Sequence, residues 1–449
     1  MRNLTQLRLA AREIFEEALR AVDAGEAVRR AVQRREESFL INDVEFSNPK
    51  VYSIAVGKAA RTMDYALGQM IGELLAFRIL VGPDPPAGPA ERVLLNKRLW
   101  YAGGHPLPNK RSLYAAQKTL EILEQADSEA ALVIFLVSGG GSAIMEWPIN
   151  DEISLGDLRM TNKALIASGA SIGEINTVRR AFSAVKGGRL AARAPNCDQI
   201  TLIISDVPAG QEWNVASGPT LSPPVDAPRA RDVLEKYDLR SQIPEPVLSA
   251  IDAEPEPRPP ENPTTLREQF VLLRNDDALE AAANAARRRG FNADIARDIS
   301  DESIESGCER LIERISKPRQ TIDADLSVIS GGEFSCPVRG TGLGGRNLET
   351  ALRLACSANL SLPDFNFVAL CAGTDGIDGN SPAAGAIVDS TTLERARTIG
   401  LDAHDFLNRS DAYSFFVALG DAITTGATGT NVRDLRILLR SNKRKQIDT

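Results

Sequence analysis

The sequence predicts an α/β protein of two domains, the first built on a parallel sheet and the second on a mixed one. Three observations predict it. The runs VYSIAV (51–56), FRILVG (77–82), LVIFLVS (132–138) and QITLII (199–204) show no polar alternation, so each reads as a strand buried on both faces. Segments of helical period alternate with these runs, the order that produces parallel sheets. Finally, prolines crowd Ser222–Thr265 and are densest in EPEPRPPENP (254–263). Proline continues neither a ladder nor a helix interior, so this stretch reads as a surface connector.

Composition sets the outer limits. A chain of 449 residues exceeds one ordinary core, and 43% hydrophobic with 25% charged residues is a soluble, globular balance. A net charge of −8 without a Lys/Arg block argues against nucleic acid as a partner. The five cysteines (197, 308, 336, 356, 371) have no C-x-x-C spacing, so neither a disulfide framework nor a zinc site is indicated. No apolar stretch approaches the roughly 20 residues that span a bilayer, and the first residues lack a secretory core. A cytoplasmic enzyme without a membrane partner is expected. With only two histidines, His105 and His404, a His-centred triad or multi-His metal site is disfavoured.

Taken in order, residues 4–36 are expected to be helical, from Leu and Ala at 3.6-residue spacing. The strand at 51–56 runs into Gly57-Lys58-Ala59-Ala60 and a helix. The strand at 77–82 leads to a loop at Pro83–Pro89, and WYAGGHPLPN (100–109) reads as a short strand entering a turn. After a further helix comes the central strand, which ends in Ser138, Gly139, Gly140, Gly141 and Ser142. Ile153–Ala192 is expected to be largely helical, interrupted by KGGRLA (186–191), and the strand at 199–207 follows. RDVLEKYD (231–238) is helix-like and belongs with the first domain. FVLLRN (270–275) is expected to open the second domain, followed by a helix with Gly290 as its C-cap. LSVISGGEFSCPV (326–338) reads as strand, turn, strand, and that hairpin is the reason to expect a mixed sheet. GTGLGGRN (340–347) leads into a helix, FNFVALCAG (365–373) is a strand, and DAYSFFVALGDAIT (411–424) a helix before TGATGTNVRDLRILLR. The expected domains are 1–240 and 266–449, joined by a connector at 241–265.

Polar and glycine-rich signals fall after strands or before helices, which in open α/β sheets is the ligand-binding edge. The 138–142 turn is either an anion cradle of converging N–H groups or a tight connection that uses positive φ. Lys58 is either a solvated lysine or a cation set against an oxyanion; its place beside a helix start opposes the helix dipole and needs a reason. Arg346 raises the same question, with a planar fork suited to phosphate or carboxylate. Asp206 and Asp375 end strands, as Mg²⁺ ligands and general bases do in phosphoryl transfer; Asx turns or helix caps are the alternative. Asp378 follows in the same loop as Asp375. His105 is a substrate contact or a turn residue. There is no Walker A motif, and no G-x-G-x-x-G follows a strand with the acidic partner a dinucleotide site requires.

VGKAA (56–60), AGGHPLPN (102–109), VSGGGSA (137–143), INTVRRAFSAVKGGRLA (175–191), SDVP (205–208), ASGPT (216–220), GGRN (344–347), AGTDGIDG (372–379) and TGATGTNVRDL (425–435) together span nearly the whole chain. In these motifs the chain resembles the class II glycerate kinases, whose C-terminal part is the MOFRL domain. The resemblance implies two α/β/α domains, the first Rossmann-like, with a cleft between them. It implies ATP-dependent phosphorylation of D-glycerate to 2-phosphoglycerate with Mg²⁺. Lys58, Arg346 and Asp206 then become the catalytic residues. Ser138, Gly139, Gly140, Gly141, Ser142, His105, Asn109, Lys186, Gly344, Gly345, Asn347 and Thr374 become substrate or phosphate contacts, and Asp375 and Asp378 metal ligands. The partners implied are small molecules, with a homodimer as one assembly open to the chain. Ala209-Gly210, Pro382 and Leu348 depart from the family's usual residues. The rivals are an NAD(P)H-dependent hydroxypyruvate reductase, disfavoured by the missing dinucleotide fingerprint, and a non-catalytic binder of hydroxy acids.

Overall fold

A computed structural model describes residues 2–47, 49–83, 98–253, 265–317 and 325–443. Most of the Pro83–Pro89 loop and the densest proline run, 254–263, lie outside these residues. By its internal contacts the chain forms two units, Ala24–Leu273 (the insert unit) and Met1–Asp23 with Arg274–Thr449 (the composite unit).

The first helix, α1 (Leu4–Ala21), buries Leu7, Ala11, Ile14 and Ala18 on one face. That face packs with Leu279, Leu370 and Ile437 of the composite unit rather than with the residues that follow it in the chain. Helix α2 (Ala24–Ala31) then ends, and the expected helix to residue 36 gives way to strands β1 (Val32–Arg34), β2 (Phe39–Ile41) and β3 (Val44–Phe46), a small antiparallel sheet. The β2–β3 turn uses Asn42 at φ +50°, a conformation asparagine tolerates, and the rings of Phe39 and Phe46 stack across the pair.

The main sheet of the insert unit comprises β4 (Val51–Val56), β5 (Leu75–Gly82), β6 (Arg98–Ala102), β7 (Leu132–Ser138), β8 (Asp198–Ile204) and β9 (Arg267–Leu273). Its order is β6-β5-β4-β7-β8-β9, and every neighbouring pair is parallel. This is the doubly wound order, in which the winding reverses between β4 and β7. The two strands at that reversal are buried along their whole length, as their unbroken apolar runs require. Helices α3 (Ala60–Ile71), α4 (Lys110–Ser128) and the single turn α5 (Gly141–Ile144) accompany this sheet. Helices α6 (Leu155–Ala167), α7 (Ile172–Ala181), α8 (Ala230–Lys236) and α9 (Glu245–Asp252) form a satellite cluster around Leu158, Val178, Val233 and Val247. Two sequence expectations change here. The start of the expected connector is helix α9, which buries Val247 and Ile251, and β9 is the sixth parallel strand of this sheet instead of the opening of the second domain.

In the composite unit, β10 (Asn292–Ile295), β11 (Leu326–Gly332), β12 (Phe365–Gly373), β13 (Gly385–Asp389), β14 (Ala422–Ile423) and β15 (Asp434–Asn442) pair in the order β10-β11-β15-β12-β13-β14. Only β10–β11 is parallel. The sheet is mixed because β15 enters antiparallel between β11 and β12, not because of a hairpin at 326–338. After Gly332 (φ +77°) the chain leaves the sheet, and Ser335 makes one isolated bridge to Ser303. Helix α10 (Asn275–Arg288) joins α1 on one face; α11 (Ile304–Ser316), α12 (Arg346–Ser361), α13 (Thr392–Thr398), α14 (Ala403–Asn408) and α15 (Ala412–Leu419) contribute to the cluster on the other. Gly290 follows α10 at φ +80°, as its C-cap role predicts. The helix expected over 411–424 stops at Leu419, because Gly420 turns left-handed (φ +70°) and β14 begins.

Candidate functional site

Within the insert unit, the sequence-predicted residues gather at the carboxyl edge of the parallel sheet. Gly57 follows β4 at φ +114°, and a Cβ there would lie 2.2 Å from the Ser138 carbonyl oxygen, so the ends of β4 and β7 touch only because of this glycine. The Lys58 amide donates to Gly139 O at 2.9 Å. Ser138 Oγ donates to Val56 O at 3.2 Å and accepts from Ala59 N at 3.0 Å. Ser138 is fully buried, so it fastens the Lys58 turn to β7 rather than reaching a ligand, a correction to its expected role. Gly140 is left-handed (φ +80°), and a Cβ there would come within 3.0 Å of Lys58 Cγ; the lysine stem lies across this glycine. Lys58 and the glycine turn therefore flank the point where the sheet reverses its winding, the position at which doubly wound sheets bind ligands.

Ser142 extends this edge into a polar chain. Its Oγ is 2.8 Å from Ser217 Oγ, which donates to Asn176 Oδ1 at 2.8 Å. Ala216, Ser217 and Gly218 are all left-handed, at φ +51°, +62° and +66°. Two such non-glycine residues in succession store backbone strain, which persists where surrounding contacts over-determine it. Here those contacts are Gly187 N to Ser217 O (3.2 Å) and Gly188 N to Gly218 O (2.8 Å). Arg180 donates to Asn214 Oδ1 at 3.0 Å and to Thr177 Oγ1 at 2.9 Å, and stacks on Trp213. Arg179 is buried, and burial, opposed by Glu146, brings its pKa down to about 10. Asn176, Arg179, Arg180 and Asn214 were not singled out from sequence; the first three stood in the family segment 175–191, while Asn214 lies just before the segment 216–220 and carried no signal.

Asp206 follows β8 at the same edge and is half-buried, while His105 is exposed beyond the end of β6. Two expected contacts are corrected. Asn109 caps α4, its Oδ1 accepting from Ser112 N at 2.9 Å. Lys186 is 1% exposed and ion-paired with Glu146, whose other oxygen accepts from Ser183 Oγ at 2.5 Å. It belongs to the interior and not to a ligand surface.

In the composite unit, Arg346 is the first residue of α12, at the end of the sheet where β11 and β12 finish and β15 begins. Its Nε donates to Asp434 Oδ2 at 2.6 Å and its Nη2 to Asp434 Oδ1 at 3.1 Å, with Glu333 Oε1 2.7 Å from Nη2. Burial draws the arginine's pKa down, but Asp434 and Glu333 outweigh it and hold the guanidinium firmly charged. Among the described residues Nη1 makes no hydrogen bond. Gly345 permits the arrangement, since a Cβ there would sit 2.5 Å from Asp378 Cγ. Asp378 accepts from Asn347 N (3.1 Å) and Leu348 N (2.8 Å), capping α12 with both oxygens. Burial pushes its pKa up to about 7.

These bonds correct three further expectations. Asp378 is a helix cap and not a metal ligand. Asn347 is buried and bridges Asp378 and Asp434 through Nδ2, at 3.2 and 2.9 Å. Thr374 is buried, with Oγ1 donating to Arg433 O at 2.6 Å and accepting from Val432 N at 2.9 Å. Gly344 contributes only backbone, its N–H donating to Asn380 Oδ1 at 2.8 Å. Asp375 is half-buried and forms an Asx turn with Ile377 N at 3.1 Å. Among the described residues no group of three or more His, Cys, Asp or Glu is arranged to hold a metal, and Asp378's oxygens are taken by amides. Glu333 and Asp434 were missed from sequence.

No described helix is long and apolar enough to cross a membrane. Residues 10–252 match a domain of unknown function designated DUF4147, and residues 326–434 match the MOFRL family. The chain is 34% identical over 439 residues to the glycerate 2-kinase of Pyrococcus horikoshii, covering 95% of this chain and 96% of that one. It is 35% identical over 439 residues to the D-glycerate 2-kinase of Thermotoga maritima, covering 96% and 98%. A crystal structure of glycerate kinase from Thermotoga maritima superposes with a TM-score of 0.76 at 31% identity, covering 97% of this chain and 99% of that one.

Proposed function

Because the chain belongs to the class II glycerate kinase family, we propose that it transfers the γ-phosphoryl group of ATP to D-glycerate, giving 2-phosphoglycerate. The observation that carries this reading is similarity along nearly the full length of both this chain and two glycerate 2-kinases. The local geometry agrees with it. Phosphoryl transfer asks little covalent chemistry of a protein and much positioning and positive charge. Lys58 supplies an ammonium at the switch point, and the left-handed Gly140 leaves its path open. Arg346 supplies a guanidinium whose orientation is fixed from behind by Asp434.

We assign Asp206 to accept the proton of the 2-hydroxyl group, and the Gly139–Ser142 turn to bind phosphate or carboxylate through backbone N–H groups. His105 is assigned to the substrate. Mg²⁺ enters this reading only as the ion that ATP brings with it, with Asp375 as the carboxylate assigned to it and no step derived through it. The proposed roles divide between the two units. The surroundings proposed are cytoplasmic.

The test is a coupled assay with ATP, Mg²⁺ and D-glycerate, with the product resolved by NMR. Phosphate at the 2-position is expected. NADH oxidation on adding hydroxypyruvate, without ATP-dependent turnover, would replace this reading with the reductase.

A further inference from the structure

The composite unit holds a cavity of about 370 Å³ beside the head of α12, within the ~300–1,000 Å³ range of small-molecule sites. Its inner wall is Phe334, a buried ring packed on two sides. The Arg436 guanidinium lies 3.5 Å from the ring centroid on one side, and on another the ring fills the space a side chain at Gly307 would need, 2.2 Å from Phe334 Cζ. At the rim stand Pro337 and Val338, and Val338 is 82% exposed, an apolar side chain left in water beside a recess. Arg346 closes one end, with Nη1 not hydrogen-bonded to any described residue. One helical turn further along α12, Glu349 is buried and held by Arg353, whose Nε and Nη2 donate to Oε1 at 2.9 and 2.8 Å.

We propose that this cavity is the nucleoside subsite, with the base of ATP between Phe334 and Val338 and its phosphates directed toward Arg346. The inference rests on the kinase reading and deepens it. D-Glycerate carries oxygen on every carbon and has no apolar face to match Phe334, Pro337 and Val338. A purine has such a face, and bases stack on aromatic and apolar walls. Arg346 Nη1 sets the direction: it is a donor at the end of the cavity that no described residue hydrogen-bonds, although Asp434 and Glu333 pair with the rest of the guanidinium.

The test uses steady-state kinetics of the full-length enzyme with ATP and D-glycerate varied in turn and adenosine as inhibitor, comparing the wild type with Val338→Glu and Val338→Trp. Val338 is so exposed that neither substitution disturbs the core, which thermal melting checks. Adenosine is expected to compete with ATP. Val338→Glu is expected to raise the KM for ATP about tenfold and move that for D-glycerate less than about twofold, while Val338→Trp holds or lowers the KM for ATP. An unchanged KM for ATP in Val338→Glu, or equal rises for both substrates, overturns the subsite. If the wild type shows no ATP-dependent turnover of glycerate, the kinase reading itself fails. Calorimetric titration of adenosine into wild type and Val338→Glu then decides the cavity separately: loss of binding in the variant supports it, and equal or absent binding overturns it.

Discussion

Arg346 and Asp434 meet fork to fork, Nε to Oδ2 at 2.6 Å and Nη2 to Oδ1 at 3.1 Å, across 88 residues of sequence. The carboxylate is 1% exposed and the arginine side chain 35%, so the pair has a buried half and a half that faces outward. Asp434 thereby sets the direction of the one guanidinium nitrogen that has no hydrogen-bond partner among the described residues.

Arg346→Lys keeps a charge but loses the fork. A drop in kcat of about 10²-fold is expected, the scale seen when one preorganised transition-state donor is lost, with D-glycerate KM little changed. Asp434→Asn is expected to cost about 2–3 kcal/mol in urea unfolding, below the full value for a buried pair because solvent screens the arginine.

Lys58→Ala tests the insert unit. The side chain is half-buried and lies over a glycine, so little packing is lost. Turnover is expected to fall by at least about 10²-fold while the melting temperature stays nearly constant. A variant with near-normal kcat removes Lys58 from the mechanism.

Lys186 behaves oppositely. Lys186→Met leaves Glu146 buried and uncompensated, which is expected to cost about 3–5 kcal/mol, and the double variant Lys186→Met/Glu146→Gln is expected to recover much of that loss. If Lys186→Met instead raised substrate KM with stability intact, the lysine would be a ligand after all.

Asp378 predicts a pH effect. Burial, reinforced by the charge of Asp434, outweighs the N–H groups of Leu348 and Asn347 and raises its pKa from 3.8 to about 7. Between those values the folded chain retains a proton that the unfolded chain has released. Stability from this group is therefore fully present below 3.8 and falls as pH rises toward 7. Urea unfolding at several pH values is expected to show this slope in the wild type and its loss in Asp378→Asn; parallel profiles would contradict it.

What the sequence made legible, and what it concealed, follows from the range of each interaction. Apolar runs such as 51–56 and 132–138 announce buried strands because burial on both faces is a local demand on composition. Lys58, Gly140 and Arg346 could be singled out because each opposes a local rule, a cation near a helix start or glycines in series. Asp434 carried no such mark. It opens a strand after a Gly/Thr-rich loop, and its meaning comes from a partner far away in the chain. The capping roles of Asn109 and Asp378 show the converse, since an acceptor three residues away in α4 and one 31 residues away in α12 satisfy the same kind of free helix amide. The amphipathic face of α1 said that something covers it, not what; β9 likewise had a strand's composition but no address in either sheet.

The placement of β15 bears on how the molecule is made. Its nine residues fill the middle of the second sheet, yet they are made after every other strand of that sheet, while α1, which precedes all of them, rests on it. A nascent chain can therefore complete the parallel sheet of Ala24–Leu273 while the other half still waits for its keystone. A stop codon just before Asp434 would leave β11 paired only with β10 and β12 only with β13, with no strand to join the two halves.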